Sequence, residues 1–233
     1  MKIGGVTLDL TWYPGTDLYS DGEVEEKLLQ IAKTVPEEEL NGRIAEEHDW
    51  AVLYHFSHIR ENIVSSLPIT KSDRVLEIGA GCGAVTGSLA RMAGQVTCVD
   101  LSKKRSLVNA YRHASSDNIR IIVGNYQDIE PHLTEKYDYI TLIGVFEYAK
   151  AYIGTAHPYG EFLRQIRSHL APGGKVVIAI ENRLGLKYWA GCMEDHTGHA
   201  FEGLENYPDP DTMVRTFSHP ELEKLLDEAG LAD

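Results

Sequence analysis

One stretch limits the folds open to this chain more than any other. Val75-Leu76-Glu77-Ile78 runs directly into Gly79, Gly81 and Gly83, which alternate with single residues, and a helical pattern follows over 84–93. A strand that enters alternating glycines and then a helix is a β-loop-α unit. Its loop lets a ligand approach the backbone closely, beside the unpaired N–H groups of a helix start. Gly79, Gly81 and Ala84 also meet the loose dinucleotide spacing G-x-G-x-x-G/A, so the loop alone admits nicotinamide, flavin and other adenosine cofactors, or a purely structural turn.

The pattern continues downstream. Short apolar runs predict strands over 74–78, 95–99, 118–123, 137–143 and 175–180, and amphipathic runs predict helices over 84–93, 103–113, 159–170 and 219–229, with a turn at Pro172-Gly173-Gly174. Strands apolar on both faces and separated by helices predict an α/β fold, a Rossmann-like doubly wound and mainly parallel sheet. Such sheets bind ligands at the carboxyl ends of their strands. Residues 71–233 are read as this domain.

Residues 1–70 read as an N-terminal helical extension. Ser20-Asp21-Gly22-Glu23 fits a capping box ahead of Val24, Leu28 and Ile31, in a helix that ends before Pro36. A second stretch over 44–67, with a break at Ser57, has Trp50, Leu53, Phe56, Ile59 and Ile63 as its expected buried stripe. The last helix ends near Gly230 with three residues left, too few for closing strands. The expectation is that those strands are missing and that the chain is a domain of a longer protein. The alternative is that residues 3–12, which alternate like a strand, supply part of that edge.

Charge narrows the partners. Of the formal −13, residues 1–48 carry −7 and residues 191–233 carry −9, while residues 49–190 are net +3. Acidic flanks predict no nucleic-acid partner held through phosphates, and no binding to an anionic membrane. No apolar run of about 18 residues is present, so no membrane insertion is expected. Three widely spaced cysteines, Cys82, Cys98 and Cys192, with no signal-peptide pattern at the N-terminus, predict reduced thiols and a cytoplasmic location.

Three features separate the cofactor readings. Glu77 stands on the strand end beside the glycines, where a carboxylate suits a cationic ligand better than a pyrophosphate. Asp100 ends the second strand and can accept from ribose hydroxyls. Gly124-Asn125-Tyr126-Gln127-Asp128 follows the third strand, where a polar side chain can meet an adenine amino group.

With these residues the chain resembles the class I S-adenosylmethionine-dependent methyltransferases, over residues 45–230. The resemblance rests on four blocks in order: Glu77-x-Gly79-x-Gly81-x-Gly83; Val99-Asp100-Leu101-Ser102; Tyr137-Asp138-Tyr139-Ile140 leading to Gly144-Val145-Phe146-Glu147-Tyr148; and Leu170-Ala171-Pro172-Gly173-Gly174-Lys175. It implies S-adenosyl-L-methionine as cofactor. The implied binding residues are Glu77, Gly79, Ala80, Gly81, Cys82 and Gly83 at the methionine end, Asp100 at the ribose, and Leu101, Asn125 and Tyr126 at the adenine. Ile143 and Gly144 would face the sulfonium. Asn125 departs from the Asp common in the family but keeps an acceptor oxygen. The tracts Glu181–Gly191 and Glu194–Gly198 are similar to bacterial methyltransferase domains of larger proteins tied to surface glycan assembly.

The expected activity is therefore methyl transfer to a small-molecule or glycan-type acceptor, in a chain with further domains. The alternatives are an NAD-dependent oxidoreductase, which Glu77 disfavours and for which no hydride-transfer dyad is evident, and a non-catalytic cofactor-binding scaffold. The catalytic residues are not determined. The candidates are Glu147 after the fourth strand and an Asp195–His196 pair acting as base. Tyr148, Glu181, Asn182 and His157 are loop positions near the same strand ends. Cys192, His196 and His199 offer only three ligands with no CxxC partner, so no metal site is expected. Residues 183–217 form a long insertion, read as a lid or acceptor-site loop that closes over the cofactor with the 50–60 helix.

Overall fold

The computed structural model describes residues 1–20 and 22–231. In chain order the elements are β1 (Lys2–Ile3), β2 (Val6–Asp9), α1 (Val24–Thr34), α2 (Leu40–Glu47), α3 (Trp50–Phe56), β3 (Arg74–Ile78), α4 (Thr86–Met92), β4 (Gln95–Asp100), α5 (Lys103–Arg112) and β5 (Ile119–Val123). They continue with α6 (Tyr126–Ile129), β6 (Tyr137–Ile143), α7 (Ala149–Tyr152), α8 (Pro158–Ser168), β7 (Leu170–Ala179), α9 (Leu186–Trp189) and α10 (His219–Ala229). The strands form one sheet in the order β1-β2-β5-β4-β3-β6-β7. β3, β4 and β5 pair in parallel, with Val75 opposite Val96 and Val96 opposite Ile119. These three strands are buried on both faces, which their Val- and Ile-rich runs require. Strand order runs outward from β3 in both directions, so the end of β3 is the topological switch point. The glycine loop follows it.

The chain divides into two compact units. One comprises Met1–Thr141 with Ala171–Lys175, the other Leu142–Leu170 with the residues from Val176 onward.

In the first unit, the opening residues are strands rather than the expected helical extension. Val6 and Leu8 are fully buried and alternate with half-buried Thr7 and Asp9. β2 pairs in parallel with β5, Leu8 opposite Ile121. Of the strand-like stretch 3–12, Ile3 and Val6–Asp9 are strand, and they extend the sheet beside β5, at the end opposite β7. Helices begin at α1, whose Leu28, Leu29 and Ile31 pack with Leu40, Val52, Phe56, Cys82 and Val108. Asp21 of the expected capping box lies outside the described residues. Ser20 donates its hydroxyl to Glu25 at 2.8 Å, and Glu23 holds the N-cap position with no side-chain bond to the helix.

The expected stripe over 50–63 is corrected. Only Phe56 of its members is buried; Trp50 is 73% exposed, and Leu53, Ile59 and Ile63 are also exposed. α3 turns the i, i+4 pair Val52 and Phe56 inward and ends at Ser57. The chain continues as a 3-10 turn, His58–Ile63, so one helical period does not carry across the break. α4 begins at Thr86, because Gly81–Val85 are spent in turns. Residues 172–174 lie within β7, where Gly173 takes φ 79° instead of forming a separate turn.

In the second unit, Phe146 packs against Phe217 with ring centres 5.6 Å apart, and Tyr159 meets Phe217 edge-on at 4.9 Å. α10 has the predicted bounds. Its first turn is fixed by Glu221, which accepts from the Ser218 N–H at 2.8 Å and the Ser218 hydroxyl at 2.6 Å. Among the described residues no helix is long and apolar enough to cross a membrane.

Candidate functional site

The glycine loop is shaped by what surrounds it. Gly79, Gly81 and Gly83 have φ of 72°, 52° and 77°, the left-handed region that L side chains avoid. A Cβ on Gly83 would lie 2.5 Å from the Asn109 Oδ1, and one on Gly81 would lie 2.8 Å from an Arg105 nitrogen. At Gly83 glycine is required for space as well as for φ, whereas at Gly81 the end of the Arg105 side chain can move and φ is the reason.

Two carboxylates flank the loop on neighbouring strands. Glu77, on β3, is 3% exposed and accepts from the Thr86 hydroxyl at 2.6 Å and the Cys98 thiol at 3.4 Å. Asn109 donates in turn to Thr86 at 3.1 Å. Burial pushes the Glu77 carboxyl up to about 7, against the pull of those two hydrogen bonds. Asp100, at the end of β4, accepts from the Gly81 N–H at 2.7 Å and the Ser102 N–H at 2.9 Å. Burial raises it too, although the Arg105 charge works against that. Ala80 and Cys82 are buried, and burial pushes the Cys82 thiol up to about 12, so it is a packing residue rather than a nucleophile.

Other residues of this cradle carried no sequence signal of their own. The His113 Nε2–H donates to the Gly83 carbonyl at 3.0 Å; burial, then the Arg112 charge, push the imidazole down to about 3, so it stays neutral. The N-terminal segment lies over the ends of β4 and β5. Asp17 caps α5, accepting from the Ser102 hydroxyl and the Lys103 N–H, both at 2.8 Å. Tyr19 lies under Arg105 at 4.9 Å, and Trp12 stacks on His132 at 4.3 Å, with its carbonyl against Gly124. Tyr13, Asp17 and Tyr19 sit in an irregular stretch with no period, and such contacts are invisible without the fold. Leu101 is half-buried and Tyr126 buried. Asn125 Oδ1 accepts from the Gln127 N–H at 3.1 Å, capping α6, so an adenine amino group would share that oxygen with the helix.

The second unit holds the candidate catalytic residues. Ile143 ends β6 half-buried, and the Gly144 N–H donates to the Ala179 carbonyl at 2.9 Å. Glu147 follows in a 3-10 turn, Phe146–Tyr148, and is 1% exposed. His196 reaches it with Nε2 3.6 Å from Oε1, an ion-pair distance. The expected Asp195–His196 pair does not form. Asp195 instead accepts from Lys187 and the Tyr188 hydroxyl, while His196 Nδ1 meets Glu194 at 3.0 Å.

Glu194, part of the Glu194–Gly198 tract but not among the catalytic candidates, is the hub. Its buried carboxylate accepts from the His196 N–H at 2.7 Å, the Thr197 N–H at 2.8 Å and the Tyr207 hydroxyl at 3.0 Å. Burial would raise its pKa, but the donors from His196 and Thr197 hold it at about 2. Burial would lower His196, yet Glu147 and Glu194 together raise it to about 10. His196 is thus an imidazolium at neutral pH, and Asp195 is committed to Lys187 and Tyr188. Neither is a ready base.

His199 pairs with Glu202 at 3.0 Å, and Cys192 is exposed, so the trio Cys192, His196 and His199 is not assembled. Among the described residues, the potential metal ligands that gather are Glu147, Glu181 and His196. Asn182 caps its own loop by accepting from the Leu184 N–H at 2.9 Å. His157 lines a half-open cleft of about 710 Å³ with Lys150, Tyr159, Arg164, Tyr207 and Arg215. The three cations of that group are already paired: Lys150 with two carbonyls, Arg164 with Glu161, and Arg215 with Asn206.

The profile of a family described as "Methyltransferase domain" matches residues 46–233. A ubiquinone biosynthesis O-methyltransferase of Xanthomonas oryzae pv. oryzae is 28% identical over 191 residues, which cover 77% of this chain and 74% of that one. The corresponding protein of a Caulobacter species is 35% identical over 47% of this chain and 41% of its own. Among solved structures, a DhpI-SAM-HEP complex has TM-score 0.53 at 20% identity, covering 91% of each chain. An O-methyltransferase family protein from Burkholderia thailandensis has TM-score 0.57 at 16% identity, covering 78% of this chain and 53% of that one. The sheet order, the glycine loop at its switch point and the profile match agree: the chain belongs to the methyltransferase domain family, as a class I, S-adenosylmethionine-dependent methyltransferase domain.

Proposed function

We propose that the chain transfers a methyl group from S-adenosylmethionine to an oxygen of a small-molecule acceptor. One observation carries the cofactor half of this reading: Glu77 and Asp100, two buried carboxylates on adjacent strand ends, bracket a loop of left-handed glycines. Burial of Glu77 outweighs the Arg60 charge that acts on it, and the cofactor's ammonium would supply a second cation. Asp100 keeps acceptor capacity beyond its two backbone donors and suits ribose hydroxyls. Gly79, Ala80, Gly81, Cys82 and Gly83 would offer backbone to the methionine end, and Leu101, Asn125 and Tyr126 would border the adenine. Ile143 and Gly144 are proposed with them on the order of the motifs.

When bound, the cofactor supplies a methyl on a positive sulfur, a good leaving group, so the protein's task is mainly to align the acceptor. The names of the curated relatives, ubiquinone biosynthesis O-methyltransferases, favour oxygen as the acceptor atom. A glycan-type hydroxyl is a narrower form of the same chemistry. The 183–217 segment, pinned through Glu194 and Arg183, is proposed as a lid or acceptor-site loop on the order of the motifs.

Calorimetric titration with S-adenosylmethionine, S-adenosylhomocysteine and NAD tests the cofactor. The first two should bind and NAD should not, and Asp100→Ala should weaken binding about 10-fold or more, the scale of a hydrogen bond to a charged group. Selective binding of NAD would overturn the reading. Cofactor binding with no methylated product across phenolic and sugar acceptors would favour a non-catalytic scaffold instead.

A further inference from the structure

Nothing in the cofactor reading uses the buried cluster of the second unit. We propose that Glu147, Glu181 and His196 form a binding site for one divalent cation of the zinc–manganese class, with Glu194 as a positioning residue.

The geometry comes first. One potential ligand atom from each of the three residues lies within 4.8 Å of the others. A cation about 2.1 Å from each ligand in a tetrahedral site would set them about 3.4 Å apart. His196 Nε2 and Glu147 Oε1 are already 3.6 Å apart, too far for a hydrogen bond and close to that edge.

The second observation is independent of the clustering. Glu147 is 1% exposed, and among the described residues its Oε2 has no hydrogen-bond partner; the buried Oε2 of Glu181 has none either. Unpartnered buried carboxylate oxygens are costly, and on two residues that gather with one imidazole they leave acceptor capacity that a cation can fill.

The third observation concerns the histidine. Glu194 only accepts, so His196 Nδ1 is the donor in their 3.0 Å bond. That bond fixes the ring and directs Nε2 at the cluster, the arrangement of carboxylate–histidine–metal triads, and the cation displaces the Nε2 proton when it binds, since a ligating imidazole nitrogen is unprotonated. Two carboxylates balance the charge of a divalent ion. One imidazole with two carboxylates and no thiolate selects zinc or manganese over a sulfur-loving ion. Three protein ligands leave a position open for water or another oxygen ligand.

The test needs no methyl transfer and is independent of the cofactor reading. Protein stripped with a chelator is titrated with Zn²⁺, Mn²⁺, Mg²⁺ and Ca²⁺ by calorimetry, with far-UV circular dichroism to confirm the fold of every variant. One equivalent of Zn²⁺ or Mn²⁺ should bind and raise Tm. Glu181→Gln and His196→Gln should each weaken binding about 100-fold or more, and Glu194→Gln about 10–100-fold. Cys192→Ser should leave it unchanged. Absence of binding by all four ions at about 1 mM, or full binding retained in both Glu181→Gln and His196→Gln, would overturn the proposal.

Discussion

Glu77 shows how one residue can be costly to the fold and useful to the function. Its carboxyl titrates near 7 in the folded chain because it is buried, against an ordinary value of 4.5. The folded state therefore holds the proton across that window and the unfolded state does not. Stability is full below about 4.5 and falls as pH rises through about 7, by roughly 3 kcal/mol. Glu77→Gln should remove this loss, so urea denaturation at pH 8 should find the cofactor-free variant more stable than the parent. A cationic ligand binds the ionised carboxylate better, so parental affinity for S-adenosylmethionine should rise from pH 6 to pH 8. The variant should lose that dependence and bind about 10–100-fold more weakly at pH 8. Equal pH profiles for the two proteins would remove Glu77 from the site. Glu77, the glycines and Asp100 are legible in the sequence because each stands where a strand ends. Thr86, Asn109 and His113 are not, because their role is to meet the loop across α4 and α5. Glu194 is legible as part of the Glu194–Gly198 tract, but its role is not, because the fold alone brings Tyr207 to it.

At the scale of elements, legibility followed periodicity. α10, with its Ser218–Glu221 start, and β6 have their predicted bounds, since a regular pattern and clear punctuation agree there. α3 is not a buried stripe because it is only about two turns long, and Val52, His55 and Phe56 are its buried residues before Ser57 redirects the chain. The 183–217 segment has no period to read, yet it is held by specific bonds. Its ends meet where Asn182 bridges to Phe217, and Arg183 binds Glu221 of α10 at 2.7 Å. Its centre is held by Tyr207, whose hydroxyl bonds Glu194 at 3.0 Å and Thr216 Oγ1 at 2.6 Å and accepts from the Thr216 N–H at 3.1 Å. Tyr207 and Asn206 both take positive φ, 54° and 64°, so this bend stores backbone strain that those bonds offset. Tyr207→Phe keeps the ring and strips the hydroxyl from three buried partners. It should cost about 1–3 kcal/mol by chemical denaturation. Protease cleavage within 183–217 should also accelerate. An unchanged denaturation midpoint would mean that the segment is held elsewhere.

For the whole molecule, the sheet is the framework, and its composition by strand was only partly readable. The alternation of strands and helices from Asp73 onward forecast a doubly wound, mainly parallel sheet, because parallel strands need covering helices and right-handed crossovers. It did not forecast that the chain's first strands join the same sheet. Pairing between β2 and β5 spans more than a hundred residues of sequence, and nothing local in residues 6–9 names their partner. The structure makes that pairing a packing contribution as well as a ladder. Leu8 is fully buried opposite Ile121, and the Asp9 carboxylate meets Arg120 at 2.9 Å. The Thr11 hydroxyl, then Arg120, hold Asp9 at about 2 against burial, so this contact is intact at neutral pH. Leu8→Ala should cost about 2–5 kcal/mol in urea denaturation, as other buried leucines do, whereas Thr7→Ala on the half-buried face should cost under about 1 kcal/mol. Deleting residues 1–10 goes further, because it uncovers the backbone of β5. An uncovered strand carrying Ile119, Ile121, Ile122 and Val123 is a template for edge-to-edge pairing. The shortened chain should elute partly as soluble aggregates in size-exclusion chromatography, with thioflavin binding that the Leu8→Ala protein does not show. If it stays monomeric with the parental Tm, then β5 closes the sheet without β2, and the N-terminal strands are an attachment rather than part of the framework.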